Sequence, residues 1–222
     1  MSLSVKKLKS IDLPCSNNSL DFALSGKINC QNFWTYTEMN VIEALHNRVS
    51  APRLGDPGPD KEVLENICKS AFSAADHGLL KPWRFLIVKD QARYRLGDLF
   101  AQATLETTAE VSQEKLESIK KKPLRAPLII ITIAKQISHP KIPEIEQSLS
   151  AAAATQNMLL AAFSQGIGAM WRTGPMAYSS TVSAGLGIEK HEKIIGFLYL
   201  GASQGPQKPP REYNLDDFFQ EW

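Results

Sequence analysis

The chain reads as an α+β domain in which a sheet of four or five strands is covered by helices. Three observations predict this. Residues 128–134 form a β-branched, apolar run of the kind an interior strand carries on both faces. Residues 144–165 form a long apolar stretch that, as a helix, would span about 33 Å. Between and around them, helical and strand periods alternate in the order helix, helix, strand, helix, helix, strand, long helix, strand, helix, strand.

The first helix is expected from Met39, with Met39, Ile42 and Leu45 on one inward face. Arg48, Val49 and Ser50 leave it in a segment stiffened by Pro52, and Gly55, Pro57, Gly58 and Pro59 make a turn-rich link. Asp60 is a good N-cap for a second helix carrying Val63, Ile67, Cys68 and Ala71 inward, to about residue 75. Residues 84–89 form a strand behind Pro82-Trp83. Asp90 is expected to cap a helix to about residue 106, with Leu96, Leu99, Phe100 and Ala103 as its apolar face. Residues 112–122 read as a charged surface helix whose lysine-rich end suits the helix dipole.

The long helix shows a stripe of Leu149, Ala152, Ala153, Gln156, Leu159, Leu160 and Phe163 at core-facing spacing. The opposite side, with Ala151, Thr155, Met158 and Ala162, is hardly more polar. A helix apolar all round needs cover everywhere, and the alanines 151–154 allow a second backbone to come close. It reads either as a central core helix or as one shared by two subunits. Gly166 stops it as a C′ residue. A strand at 167–172 follows, then a helix from Ser179 or Ser180 to Leu186 and a strand at 194–200. The proline-bearing tail forms no regular element before Leu215. Residues 1–38, with isolated Phe22, Phe33 and Trp34, show no period. They read as an extension ahead of the domain at 39–222: an arm, a docking segment, or a stretch before an alternative start at Met39.

The composition excludes several classes. A hydrophobic share of 43% in 222 residues permits one sizeable core, and a net charge of +2 gives no broad field for nucleic acid or membranes. Cys15, Cys30 and Cys68 are widely spaced, as expected of reduced thiols in the cytoplasm. No apolar run approaches membrane-spanning length, and no h-region follows the basic start. There is no GxGxxG after a strand, no P-loop, no GxSxG, and no metal spacing among the four histidines.

What remains is cationic and small residues at turns. Arg48 and Ser50 suit a phosphate, through a planar fork and a hydroxyl donor, or are simply solvated. His77 follows a helix end, as a ligand contact or a surface histidine. Trp171, Arg172 and Thr173 end an apolar strand, where ligands bind, although Arg172 could equally pair with a buried carboxylate.

Five segments, NRVSAPRL (47–54), ADHGLLKPWRFLIV (75–88), RAPLIIITIAK (125–135), AAFSQGIGAMWRTG (161–174) and EKIIGFLYLG (192–201), resemble the nitroreductase-like flavoproteins, in order and at fitting intervals. The resemblance is strongest to a small bacterial branch of NAD(P)H nitroreductases and covers about residues 39–201. It implies a mostly antiparallel sheet and a homodimer with the long helix at its interface, two FMN molecules lying between the subunits. Carried over residue by residue, it puts FMN contacts on Arg48, Val49, Ser50, Ser73, His77, Trp171, Arg172 and Thr173, with His77 supplied by the partner. A nicotinamide-nucleotide contact would fall on Ala161, Ala162, Phe163, Ser164, Gln165 and Gly166.

Two departures remove positive charge: Val49 stands where the branch tends to have a second arginine, and Ser73 where it has a basic residue. A lost charge-assisted contact costs on the order of 1.5–3 kcal/mol. Lys208 and Arg211 in the tail are candidate compensators at the phosphate, and Lys81 is another. The implied reaction is ping-pong hydride transfer from NAD(P)H through FMN N5 to an electron-poor acceptor such as a nitroaromatic or quinone. The cofactor carries the chemistry, so no catalytic side chain is expected. The alternatives are a flavin-binding sensor or carrier with little turnover, and a cofactor-free structural relative.

Overall fold

A computed structural model describes residues 39–206 and 208–222. The expected extension at 1–38, with Cys15 and Cys30, lies outside the described residues. The elements are α1 (Val41–Asn47), β1 (Leu54–Gly55), α2 (Lys61–Ser70), β2 (Trp83–Lys89), α3 (Gln91–Thr107), α4 (Gln113–Lys120), β3 (Leu128–Lys135), α5 (Glu144–Ser164), β4 (Gly168–Arg172), α6 (Ser180–Gly185) and β5 (Glu192–Ser203). The class is α+β, with one five-stranded sheet in which every pairing is antiparallel. The short β1 and the length of β5 are additions to the sequence reading.

The sheet is built on β3 and β5. β3 pairs with β2 on one side and β5 on the other. The far edge of β5 is shared by β4, opposite residues 197–201, and by β1, opposite Ala202 and Ser203. β3 is buried along its length up to Lys135, as its unbroken apolar pattern demands. Its side chains alternate between two cores. Ile129, Ile131 and Ile133 meet Leu96, Phe100 and Ile119 from α3 and α4. There Phe100 packs edge-on against Phe197 at 5.4 Å. Leu128 and Ile130 meet Ile67 of α2 and Ala154 and Met158 of α5. The result is a sheet with helices on both faces.

The caps explain several boundaries. Asp60 accepts the Val63 N–H at 2.9 Å, as expected. Asn40 and Glu43 make a reciprocal capping box at the start of α1. Gly166 ends α5 with φ 73°, and Ile167 N–H reaches back to the Ala162 carbonyl. Asp90 behaves differently from the expectation. It adopts a left-handed φ of 49°, and its side chain makes no cap bond. A tight strand-to-helix turn claims its backbone instead.

Two faces are turned opposite to the sequence reading. The buried side of α5 is Gln147, Ser150, Ala151, Ala154, Thr155, Met158, Leu159 and Ala162. Of the expected stripe only Leu159 is buried, and Leu149 is 60% exposed. The physical reason is size. Ala151 and Ala154 let the α5 backbone approach β3, where Thr155 and Thr132 share a buried 2.9 Å hydrogen bond. Ile145 and Leu149 are left outside. In α1 only Ala44 is buried, while Met39, Ile42 and Leu45 face outward. No helix of the described residues is long and apolar enough to cross a membrane.

Candidate cofactor site

The segment after α1 is fixed before it reaches any ligand. Arg48 closes the helix, its N–H bonding the Ala44 carbonyl at 3.0 Å. Three residues on, Ala51 N–H bonds the Ala169 carbonyl at 2.9 Å, laying the chain alongside β4. Arg48, Val49 and Ser50 thereby line a cleft of about 900 Å³. Lys208, Pro209, Pro210 and Arg211 line the same cleft. Leu45, His46, Pro52, Met170 and Tyr213 complete the lining. Two sets of residues far apart in sequence, the first motif and the basic tail, therefore meet at one site.

The electrostatics of the cleft are one-sided. Its lining includes Arg48, Lys208, Arg211 and His46 and no carboxylate. Among the described residues, none of Arg48, Arg172, Lys208 and Arg211 forms an ion pair. Arg48 Nη1, Trp171 Nε1 and Arg172 Nε are buried donors without partners. A buried donor left unsatisfied costs about 1–3 kcal/mol, and of the three only Arg48 lines the cleft. An anionic, hydrogen-bonding molecule fits the cations of the lining.

Of β4 only Met170 lines the cleft; Trp171, Arg172 and Thr173 lie outside its lining. The register of β4 places Met170 opposite Tyr199 and Arg172 opposite Phe197. Alternation sends Met170 and Arg172 to one face and Trp171 to the other. The Arg172 guanidinium carbon lies 5.7 Å from the Tyr199 ring centre, and its Nη2 donates to the Pro52 carbonyl at 3.5 Å. No carboxylate takes Arg172, so of its two sequence readings the paired one is not realised among the described residues. Burial raises the Tyr199 phenol to about 12, against an opposing pull from Arg172 and Arg125. The Trp171 indole lies against Gly196, where an added Cβ would come 2.1 Å from Nε1. Thr173 is exposed at the strand end.

Ser73 and His77 do not line this cleft. They lie along α5. Ser73 Oγ donates to the Ser70 carbonyl at 2.9 Å and accepts from Asn157 Nδ2 at 3.3 Å. His77 Nδ1 is 2.5 Å from Glu146 Oε2. The turn between them and β2 is tied by Asp76, whose Oδ2 accepts the Lys81 N–H at 2.7 Å. Both side chains stay exposed, on the side where the apolar residues of α5 face outward.

The six residues at the end of α5 are partly turned inward. Ala162 is fully buried in the core, whereas Ala161, Phe163, Ser164 and Gln165 are half-buried and Gly166 is exposed. Ser164 Oγ and Gln165 Nε2 both donate to the Ala161 carbonyl, and Gln165 Oε1 accepts from Asn66. Residues that sequence reasoning missed are His46, Met170, Tyr213 and Gly196. Gly196 alone left a signal, as a glycine interrupting an apolar strand.

Comparison with known proteins places the fold in a family. The model of the Nitroreductase family matches residues 52–202. An Escherichia coli K12 protein named "Putative NAD(P)H nitroreductase YdjA" is 37% identical over 166 residues, 75% of this chain and 90% of its own. The crystal structure of a nitroreductase-like family protein from Bacillus cereus superposes with a TM-score of 0.73 at 20% identity, covering 82% of this chain and 96% of its own. The crystal structure of a "putative nitroreductase in complex with fmn" from Desulfovibrio desulfuricans superposes at 0.64 with 24% identity, covering 83% and 98%. The family match spans most of the chain and takes in all five strands of the sheet: the chain belongs to the nitroreductase family.

Proposed function

We propose that the chain is an FMN-dependent NAD(P)H oxidoreductase of the cytoplasm, working as a homodimer through its domain at residues 39–222. The observation that carries this reading is the cleft itself: cations with no carboxylate among them, and an unpartnered buried donor at Arg48 Nη1, line a space of about 900 Å³. The FMN complex of the Desulfovibrio protein and the NAD(P)H in the name of YdjA support the choice of cofactor and donor.

In this reading Arg48 and Ser50, with Lys208 and Arg211 from the tail, hold the phosphate end. Val49 flanks them with an apolar side chain. Trp171, Arg172 and Thr173 line the ring system, and Arg172 keeps positive charge at its edge. Ser73 and His77 belong to the site of the second subunit, which explains why they stand away from the cleft of their own chain. Residues 161–166 meet the nicotinamide nucleotide through Ala161 and the half-buried side chains that follow, with Ala162 as support. Bound FMN would supply the redox chemistry, moving a hydride equivalent from NAD(P)H to an electron-poor acceptor such as a nitroaromatic or quinone. The protein binds, orients and shields, and solvent delivers protons.

The test is the visible spectrum of the purified protein, recorded under argon before and after NADH or NADPH. The expected result is a yellow protein that bleaches on reductant and recovers its colour with a quinone. A yellow protein that does not bleach would mean a carrier or sensor. A protein that FMN titration cannot colour would overturn the flavin reading.

A further inference from the structure

His77 and Glu146 meet at a joint that is held from both sides. His77 Nδ1 lies 2.5 Å from Glu146 Oε2, with the two side chains 60% and 42% exposed. A contact so exposed is normally loose, because two side chains must be ordered in water to keep it. Here the backbone does the ordering. The turn that follows His77 carries Gly78 at φ 70°, Leu79 at φ 54° and Lys81 at φ 49°. A leucine or lysine seldom takes this left-handed form, and it persists only where the surroundings impose it. Asp76 Oδ2 closes the turn by accepting the Lys81 N–H at 2.7 Å.

The Glu146 side is fixed by a buried amide. Gln147, the next residue, is 1% exposed. Its side chain accepts the Ile137 N–H at 2.9 Å and donates to the carbonyls of Ile137 at 2.8 Å and Ile142 at 3.2 Å. His139 Nδ1 accepts the N–H groups of Lys141 and Ile142. Ile142 then reaches the histidine turn: a Cβ on Gly78 would stand 2.5 Å from its Cδ1. The loop before α5, the first turn of α5 and the turn after His77 are thereby locked together. Glu144, two residues before Glu146, is taken by Lys193 at 3.6 Å.

What this joint delivers is an imidazole with one nitrogen committed. A carboxylate only accepts, so His77 Nδ1 carries the proton between them. The bond made at one ring nitrogen decides what the other can do. Nε2 is left as the nitrogen for a ligand.

We propose that Glu146 is a positioning residue of the flavin site: it holds the Nδ1 proton of His77, fixes the tautomer and direction of the ring, and leaves Nε2 to meet the flavin nucleotide of the second subunit. The destination of Nε2 rests on the shared-site function proposed above. The tautomer does not, since both residues lie on one chain.

Nitrogen–proton correlation spectra of the imidazole rings in the purified full chain, at a pH where histidine is neutral, read the tautomer. A His77→Ala spectrum picks out His77 among the four histidines. The parent is expected to show the Nδ1–H form, and Glu146→Ala to revert toward the Nε2–H form that free histidine prefers. FMN affinity should fall roughly threefold to tenfold in Glu146→Ala and in His77→Ala, the size of one lost hydrogen bond. The double variant should lose no more than His77→Ala alone, because Glu146 acts only through the ring. A carboxylate with a merely structural role would add its own loss.

An Nε2–H ring in the parent overturns the proposal, and so does a Glu146→Ala loss that is undiminished in the His77→Ala background. FMN that binds the parent and both single variants alike also overturns it and leaves the flavin reading intact. The expected tautomer in a protein that FMN titration cannot colour removes the flavin reading and with it the destination of Nε2, while the hold of Glu146 on the ring stands.

Discussion

The Arg172 guanidinium lies 5.7 Å from the ring of Tyr199, one strand away, and leaves its Nε buried and without a partner. Tyr199 is a core residue with its phenol raised to about 12, so it stays neutral at any working pH and cannot neutralise Arg172. The cation is therefore available to a ligand. Replacing Arg172→Ala should weaken FMN binding about tenfold or more, the loss of a charge-assisted contact. Folding should change by at most about 1 kcal/mol, since what is lost within the chain is a cation–π contact. FMN titration and a urea melt separate the two. Unchanged affinity would show that this end of β4 serves only the core.

Gly196 sets the position of the neighbouring indole. Thr132 pairs with Gly196 and Ile133 with Ile194, so Ile195 is the extra residue of a bulge in β5. A Cβ on Gly196 would stand 2.1 Å from Trp171 Nε1 and 3.0 Å from the Arg172 carbonyl. Neither the strand nor the ring has room to give freely. Gly196→Ala is expected to cost about 1–3 kcal/mol by overpacking and to lower FMN affinity by moving β4. A melt and an FMN titration of the variant are the measurements. A variant as stable and as tight-binding as the parent would mean that the bulge adjusts without moving the site.

The sheet and most helix limits were legible because they rest on local signals. The run at 128–134 can only be an interior strand, Asp60 and Gly166 punctuate their helices, and the residues of the first motif sit at a helix exit. The two misread faces had no such signal. In α5 every side is apolar, so period alone could not say which side faces the sheet. The answer came from tertiary pairing, with Ala154 and Met158 in the core beside Ile130 and Thr155 bonded to Thr132. The meeting of residues 48–50 with Lys208 and Arg211 was visible as two separate hints, and only the topology brings the tail past β1 to that cleft. Met170 and Tyr213 carry no pattern that marks them out, and their place in the lining is a product of tertiary packing.

Arg84 of β2 grips Glu192 at the start of β5 with two bonds, Nε to Oε1 at 2.7 Å and Nη2 to Oε2 at 2.6 Å. Glu192 is almost wholly buried and also accepts the Glu189 N–H. The hydrogen-bonded guanidinium is the main reason its carboxyl drops from 4.5 to about 2. A carboxyl whose pKa is depressed on folding stabilises the fold above its unfolded value. That contribution is whole above about pH 4.5 and is lost as pH falls toward 2. Across this window the chain should lose about 2–3 kcal/mol through this group, a figure reduced because Arg84 is partly solvated. Urea melts from about pH 6 down to about pH 2, on the parent and Glu192→Gln, are the check, since these values bracket the window. The variant should be less stable at the upper end, with the gap narrowing as the parent's carboxylate takes up its proton. A gap of constant size would place the acid sensitivity elsewhere.

The outward stripe of α5 leaves large apolar side chains uncovered. Ile145 is 63% exposed and Leu149 is 60% exposed, with Leu160 and Phe163 half-covered further along the same helix. Val41, Ile42 and Leu45 of α1 are at least half exposed as well. Monomers rarely leave so much large apolar surface uncovered, and burying it against a second copy at about 25 cal/mol per Å² would drive a tight dimer. The same side carries Ser73 and His77, so the dimer of the proposed function would deliver them to the partner's cleft. Leu149→Asp puts a charge at the centre of that surface. It is expected to shift the chain from dimer to monomer in light scattering after size exclusion, with little change in helical circular dichroism, because the side chain touches no core. FMN affinity should fall in the same variant, since each site loses the residues its partner brings. A parent that is monomeric at micromolar concentration would remove the shared-site reading. A Leu149→Asp dimer with unchanged affinity would place the interface on another face.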